Sequence, residues 1–281
     1  MSTPVAPHFP DASASLPAAI DWSQPWLKPF HALGQRLTAA GDWRQALNAV
    51  AQERAIRNYL GLPISFVAQA ELPAATAYEA FIGSSGKVPT RDNLHDFLNA
   101  LIWLSFPAIK ARLNALQAAE LAKAGTLSGS SKPRGAARDA ATIFDENAAL
   151  LLVPDNAAGH ALIGALRQHQ WQQVFIEQGH MFARDAEVWL FGHALLEKLV
   201  QPYKAITAHT LVISVPESYF GLADEAKSDW IDRHVASDLA QQDALIGRLT
   251  PLPVLGVPGW SGDQGQAFYA DAAVFRPKRS N

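Results

Sequence analysis

The chain has 281 residues, with 23 Lys+Arg against 26 Asp+Glu, a formal charge of −3, 49% hydrophobic residues and no cysteine. That length allows one large domain or two small ones with a real core, and the near-balanced charge excludes a nucleic-acid or acidic-membrane binder working through bulk charge. The lack of cysteine removes disulfides, thiolate metal sites, iron–sulfur clusters and cysteine nucleophiles.

Residues 1–19 are rich in Pro, Ala and Ser and offer too little apolar surface to offset the entropy of ordering, which predicts a disordered arm. The first Lys or Arg is Lys28, and no basic start is followed by a continuous apolar stretch, so no secretory leader is predicted. The best apolar run, Ala148 to Pro154, is far shorter than the roughly 18 residues of a membrane span. Together these features predict a soluble cytoplasmic protein without membrane or nucleic-acid partners.

Along the chain, Trp22, Trp26 and Phe30, interrupted by Pro25 and Pro29, predict short turns docking aromatics. Residues 31–60 read as helical with a break at Gly41-Asp42, Asp42 capping the second helix and Gly61-Leu62-Pro63 ending it. Ile64 to Val67 is a short strand candidate, and Thr76 to Ile82 a short helix. A long helix is predicted from Arg91 to Ser105 with Thr90 as N-cap, restarted at Pro107 and running to about Lys123. Residues 125–135 read as a flexible Gly/Ser loop carrying Lys132 and Arg134.

Ala140–Phe144 and Ala149–Val153 flank Asp145-Glu146-Asn147-Ala148, a pattern that predicts a β-hairpin with Asp145 and Glu146 in its turn, the alternative being that the two form a functional carboxylate pair. Ala158 to Trp171 is a predicted helix. Val174–Ile176 and Glu187–Phe191 are strand candidates, and Gly192 leads into a helix from His193 to Val200. Thr207 to Val215 is a predicted strand, Ala226 to Leu249 largely helix, and the remainder an irregular strap. The fold class expected is α+β, a helical N-terminal half packed on a small, mostly antiparallel sheet from the C-terminal half. Residues 20–278 would form one domain, followed by a tail at 279–281.

Two constellations stand out as candidate chemistry. His95, Asp96 and Asn99 open a helix that is apolar nearly all round from Phe97 onward, and a buried carboxylate there must be hydrogen-bonded, paired or metal-bound. Asp96 either caps backbone and pairs with an arginine, with His95 a satisfied core histidine, or both belong to an active site. His193 and Glu197 lie one turn apart after a strand-to-helix glycine, so the carboxylate either orients the imidazole or the pair chelates a divalent ion; a plain surface pair is the alternative. Neither pair supplies three metal ligands, and only the two together, with His209 as an extra, would do so. Arg138, read as fixed at the start of a strand, and Arg91 are candidates for holding an anionic group.

Several blocks together carry a family resemblance: Pro89 to Leu101, Phe106-Pro107 with Lys110 and Asn114, Arg134-Gly135 with Arg138-Asp139, and Phe144 to Asn147. Phe191 to Glu197, Pro202-Tyr203-Lys204, Pro251-Leu252-Pro253 and Phe275-Arg276-Pro277 complete the set. The chain resembles, over roughly residues 20–278, the proteobacterial family called domain of unknown function 3025, departing from it where Leu94 and Leu98 replace an expected aromatic and Ala148 an expected glycine. The resemblance implies a bacterial, soluble, single-domain protein and no particular activity.

Three functions fit these residues. In a hydrolase-like enzyme, His95, Asp96, His193 and Glu197 converge on a pocket, with or without a divalent metal held by those residues, while Arg91, Asn99 and Arg138 hold a small anionic substrate. In a binding module the same residues hold a small anion without chemistry. In an interaction protein the polar network only fixes the core, and the C-terminal strap meets a partner.

Overall fold

The computed structural model describes residues 20–126, 135–241 and 245–278, with side chains undescribed in 123–126. The predicted arm at 1–19, most of the loop predicted at 125–135 and the tail at 279–281 lie outside those residues.

The aromatic start docks as expected. A 3-10 turn at Pro25–Phe30 buries Trp26, Leu27 and Phe30. Helix α1 (His31–Thr38) and helix α2 (Trp43–Glu53) follow, the latter capped by the Asp42 carboxylate accepting from the Gln45 N–H. Strand β1 (Ser65–Ala68) precedes helix α3 (Tyr78–Ser85), and strand β2 (Lys87–Thr90) pairs parallel with β1. β2 was not expected, because Pro89 lacks the N–H that a central strand needs; a two-stranded sheet tolerates it at an edge.

The strand displaces the expected helix start. Thr90 ends β2, and Asn93 is the N-cap of helix α4 (Leu94–Ser105), its side chain accepting from the Asp96 N–H. Phe97, Leu98, Ala100, Leu101, Ile102, Trp103 and Leu104 are all buried, as an all-round apolar helix requires. Pro107 restarts the chain as helix α5 (Pro107–Thr126).

The predicted hairpin is a helix followed by a strand. Helix α6 (Ala136–Asn147) buries Ala141, Phe144 and Asp145, spaced three and four apart, and strand β3 (Ala148–Pro154) begins at its last turn. Alanine suits helix better than strand, and Asp145 is therefore on a buried helix face and not in a turn. Arg138 stands near the start of that helix and not at the start of a strand.

Helix α7 (Ala157–Arg167) crosses back from β3, and the Val174–Ile176 strand candidate is a π-helical turn within Gln173–Glu177. Strand β4 (Glu187–Leu190), helix α8 (His193–Lys198) and strand β5 (Thr207–Val215) match the expectation. Helix α9 (Asp224–Asp238) ends sooner than expected, and Leu249–Pro253 is strand β6, before the short helix α10 (Gln266–Tyr269).

The main sheet has the order β4-β3-β5-β6. β3 pairs antiparallel with β4 and parallel with β5, and β5 pairs antiparallel with β6, so two of the three pairings are antiparallel. All seven residues of β3 are buried, the mark of a strand covered on both faces. The larger apolar cluster, reaching from Ile20 to Leu255, joins the helices of the first half to one face of this sheet; the smaller covers the other through Leu151, Val153 and Leu162. The fold is α+β. Among the described residues, no helix is long and apolar enough to cross a membrane.

Candidate functional site

The ends of β4 and α6 and the start of α8 bring the two histidines together. Gly192, between β4 and α8, lies so close to the α6–β3 junction that a Cβ there would stand 2.4 Å from the Glu146 carbonyl oxygen and 2.5 Å from the Asn147 and Ala148 nitrogens. Only glycine permits this approach, and it lays His193 against the last turn of α6. From the other side, the first turn of α4 presents His95.

His193 is buried, with Nδ1 2.9 Å from the Asp145 carbonyl oxygen. His95 Nδ1 lies 2.8 Å from Glu197 Oε2, and the two Nε2 atoms meet at 3.1 Å with the rings edge to face at 77°. The partners assign the protons. A carbonyl oxygen only accepts, so His193 Nδ1 carries a proton and, in the neutral ring, its Nε2 holds a lone pair. The Glu197 carboxylate likewise only accepts, so His95 Nδ1 is protonated; His95 Nε2 must then donate to His193. His95 is thus an imidazolium resting on a neutral imidazole.

Electrostatics agree with that assignment. The hydrogen bond and charge of Glu197 raise the His95 pKa above its ordinary value, outweighing partial burial. Burial, assisted by the nearby charges of Lys110 and His95, lowers His193 to about 4. The His95 side chain keeps 35% of its surface exposed, so the charged ring faces solvent while the neutral one faces the core.

Beneath the pair runs a polar seam unusual for a helix-packing interface. Lys110 of α5, 4% exposed, makes an ion pair with Asp145 and donates to Asn99 Oδ1 at 2.9 Å. Asn99 Nδ2 in turn donates to the Tyr78 hydroxyl at 3.1 Å. Burial alone would raise the Asp145 carboxyl; Lys110, His193 and the Lys110 hydrogen bond outweigh it and hold the group below its ordinary value. Asn114 donates to the carbonyl and the carboxylate of Glu79, whose pKa burial raises.

Of the residues singled out in the sequence, His95, His193 and Glu197 meet. Asp96 does not join them: it accepts from the Arg91 N–H at 2.6 Å and holds the Arg91 guanidinium through both oxygens, so it caps backbone and pairs with an arginine. That pairing takes both Asp96 and Arg91 away from the roles of metal ligand and free anion clamp. Asn99 is buried against Lys110 and Tyr78, not open to a substrate. Arg138 is half-buried and near enough to Glu79 to draw its pKa down. His209 is exposed on β5 beside Lys198, opposite Ala148 and Pro251.

The donor set does not suit a divalent metal. Both Nδ1 atoms are engaged, by the Asp145 carbonyl and by Glu197, which leaves only two Nε2 atoms that face each other at 3.1 Å, short of the three protein ligands a catalytic zinc takes. Among the described residues, no group of three or more His, Asp or Glu is arranged to hold a metal ion. Sequence reasoning missed Lys110 and Asp145 as members of the network. The signal for Lys110 was available, since Lys110 and Asn114 lie beside Ile109 and Leu113 on one helix face.

Residues 64–279 match the family described as "Protein of unknown function (DUF3025)", and the chain belongs to that family. No curated protein and no solved structure matches it.

Proposed function

We propose that the chain is an enzyme of the hydrolase type, acting on a small anionic substrate with the His95–His193 pair as its acid and base. The observation that carries this reading is the unbroken series Glu197–His95–His193–Asp145 carbonyl, in which one proton lies between two imidazoles at the edge of the protein. Evolving a buried neutral histidine against an exposed charged one separates two pKa values in opposite directions, the arrangement that acid and base roles require.

The chemistry balances. A substrate oxygen entering at the Nε2 edge takes the His95 proton as its bond to the acyl or phosphoryl centre breaks. Water attacks that centre and gives its proton to His193 Nε2. The proton then crosses between the two Nε2 atoms, and His95 is again the imidazolium, held by Glu197. The positive ring favours an anionic substrate.

The test is hydrolysis of p-nitrophenyl phosphate and p-nitrophenyl acetate by the wild type and by His95→Gln. Turnover of either ester, falling by about 10²-fold or more in the variant at a temperature where both proteins are folded, is the expected result. Equal rates for the two proteins, or no turnover of either ester, overturns the hydrolytic reading. The mutual pairing of Lys110, Asp145 and Asn99 within the seam favours a second reading, a non-catalytic binding or interaction protein. In that case His95→Gln changes stability alone.

A further inference from the structure

A second cleft lies at the opposite end of β4, away from the histidine pair. It measures about 290 Å³ and is bounded by the Pro25–Phe30 turn, the segment before β4, the first turns of α9 and the strap around Pro258. β4 is an edge strand of its sheet, and its residues Glu187, Val188 and Trp189 form the cleft's inner wall.

The floor of the cleft is charged and ordered. Lys227, 8% exposed, makes an ion pair with Glu187 Oε1, and Glu187 Oε2 accepts from Trp189 Nε1 at 3.1 Å and lies 3.4 Å from the Tyr219 hydroxyl. That carboxylate is saturated. Among the described residues the Lys227 ammonium has this one hydrogen-bond acceptor and also lies over the Tyr219 ring, 5.7 Å from its centroid, so two of its three N–H bonds lack a hydrogen-bond acceptor.

The charge balance is equally informative. Lys227 cancels Glu187, and Lys28 faces Asp224 at 3.6 Å on the rim. Arg184, also on the rim, is exposed and has no carboxylate partner among the described residues, leaving the cleft one positive charge in excess. The remaining walls are apolar and partly aromatic, with Phe182 and Trp260 partly exposed there and Trp189 buried. A site with a few convergent donors and aromatic sides suits a flat organic ligand.

We propose that this cleft binds a small organic monoanion with a flat apolar body, an aromatic carboxylate being the simplest member. Its carboxylate lies between the Arg184 guanidinium and the free donors of Lys227, and its ring against Phe182 and Trp260. A cation is repelled by the surplus charge, and a dianion carries more charge than the single surplus arginine balances. The site is independent of the hydrolytic reading, which stands or falls without it.

The test is ligand-observed ¹⁹F NMR on the full chain with 4-fluorobenzoate and its neutral isostere 4-fluorobenzamide. The expected result is saturable binding of the acid, with the amide at least about tenfold weaker. Arg184→Glu should weaken the acid by a similar factor and leave the amide unchanged; the exposed position keeps folding out of question. Trp260→Ala should weaken both. His95→Gln should leave acid binding as in the wild type. No saturable binding, equal affinity for acid and amide, or indifference to Arg184→Glu overturns the proposal. So does loss of acid binding in His95→Gln, which would locate the anion at the histidine pair instead.

Discussion

His95 Nε2 and His193 Nε2 share one proton across 3.1 Å, although the residues lie on helices from different halves of the chain. The pair should be visible by NMR of histidine-labelled protein. One ring, His95, should titrate above 6.5, and the other, His193, should stay neutral until about pH 4. Two rings both titrating near 6.5 would mean that the proton assignment is wrong.

Opposite shifts have opposite consequences for stability. His95 binds its proton more tightly folded than unfolded, so its contribution is complete below pH 6.5 and is lost as pH rises through its raised folded value. His193, lowered to about 4, works the other way: its contribution is complete above 6.5 and declines as the pH falls from 6.5 to 4, because only the unfolded chain takes up the proton there. Denaturant midpoints should therefore peak near pH 6.5 for this pair. In His193→Gln the decline between pH 6.5 and 4 should flatten relative to wild type; an unchanged acid limb counts against the buried neutral imidazole.

Removing Lys110 should be costly. Lys110→Met leaves the Asp145 carboxylate buried without its counter-charge, an expected loss of about 3–5 kcal/mol in chemical denaturation. Adding Asp145→Leu to the same protein should recover much of that loss, since neither charge is then stranded. If the double variant is no more stable than the single one, the ion pair is not what holds the seam.

Gly192→Ala should destabilise the chain by about 2 kcal/mol or more, because the added methyl meets backbone atoms at 2.4–2.5 Å and none of them belongs to a movable side chain. The same variant should shift the His193 resonance. A well-folded Gly192→Ala protein with an unmoved His193 signal would show that the junction yields elsewhere.

Asp232 of α9 provides a cap across the fold. Its two oxygens accept from the Ala108 and Ile109 N–H groups at 2.9 and 2.8 Å, in the first turn of α5, while burial pushes its pKa up to about 6. Asp232→Ala should cost about 1–2 kcal/mol by thermal or urea unfolding, the range for a lost helix cap. A change within measurement error would assign those N–H groups to solvent.

Elements whose apolar residues have one clear period were legible from the sequence. The Asp42 cap, the restart at Pro107, β5 and the Gly192–His193 turn all fall where local residues put them. The histidines were legible because polar groups opening apolar helices need partners. Asp145 was not: the alanines before it are nearly silent on period, and Asp-Glu-Asn reads as turn chemistry until Phe144 is known to pack inward. β2 was hidden by Pro89, and the π-helical turn at Gln173–Glu177 by β-branched and aromatic residues that suit a strand. Asp96 illustrates a different limit, since sequence offered both a site and an arginine pair and only the position of the Arg91 side chain decides between them.

The burial of β3 on both faces also governs how this protein can be made. The strand is synthesised well before β5, its parallel neighbour, and even before β4, so the nascent chain carries a wholly apolar segment, Ala148–Pro154, with both hydrogen-bonding edges bare. Polypeptides terminated between residues 155 and 206 retain that sticky ribbon without its full complement of neighbours, and should accumulate as insoluble material, not as stable half-proteins.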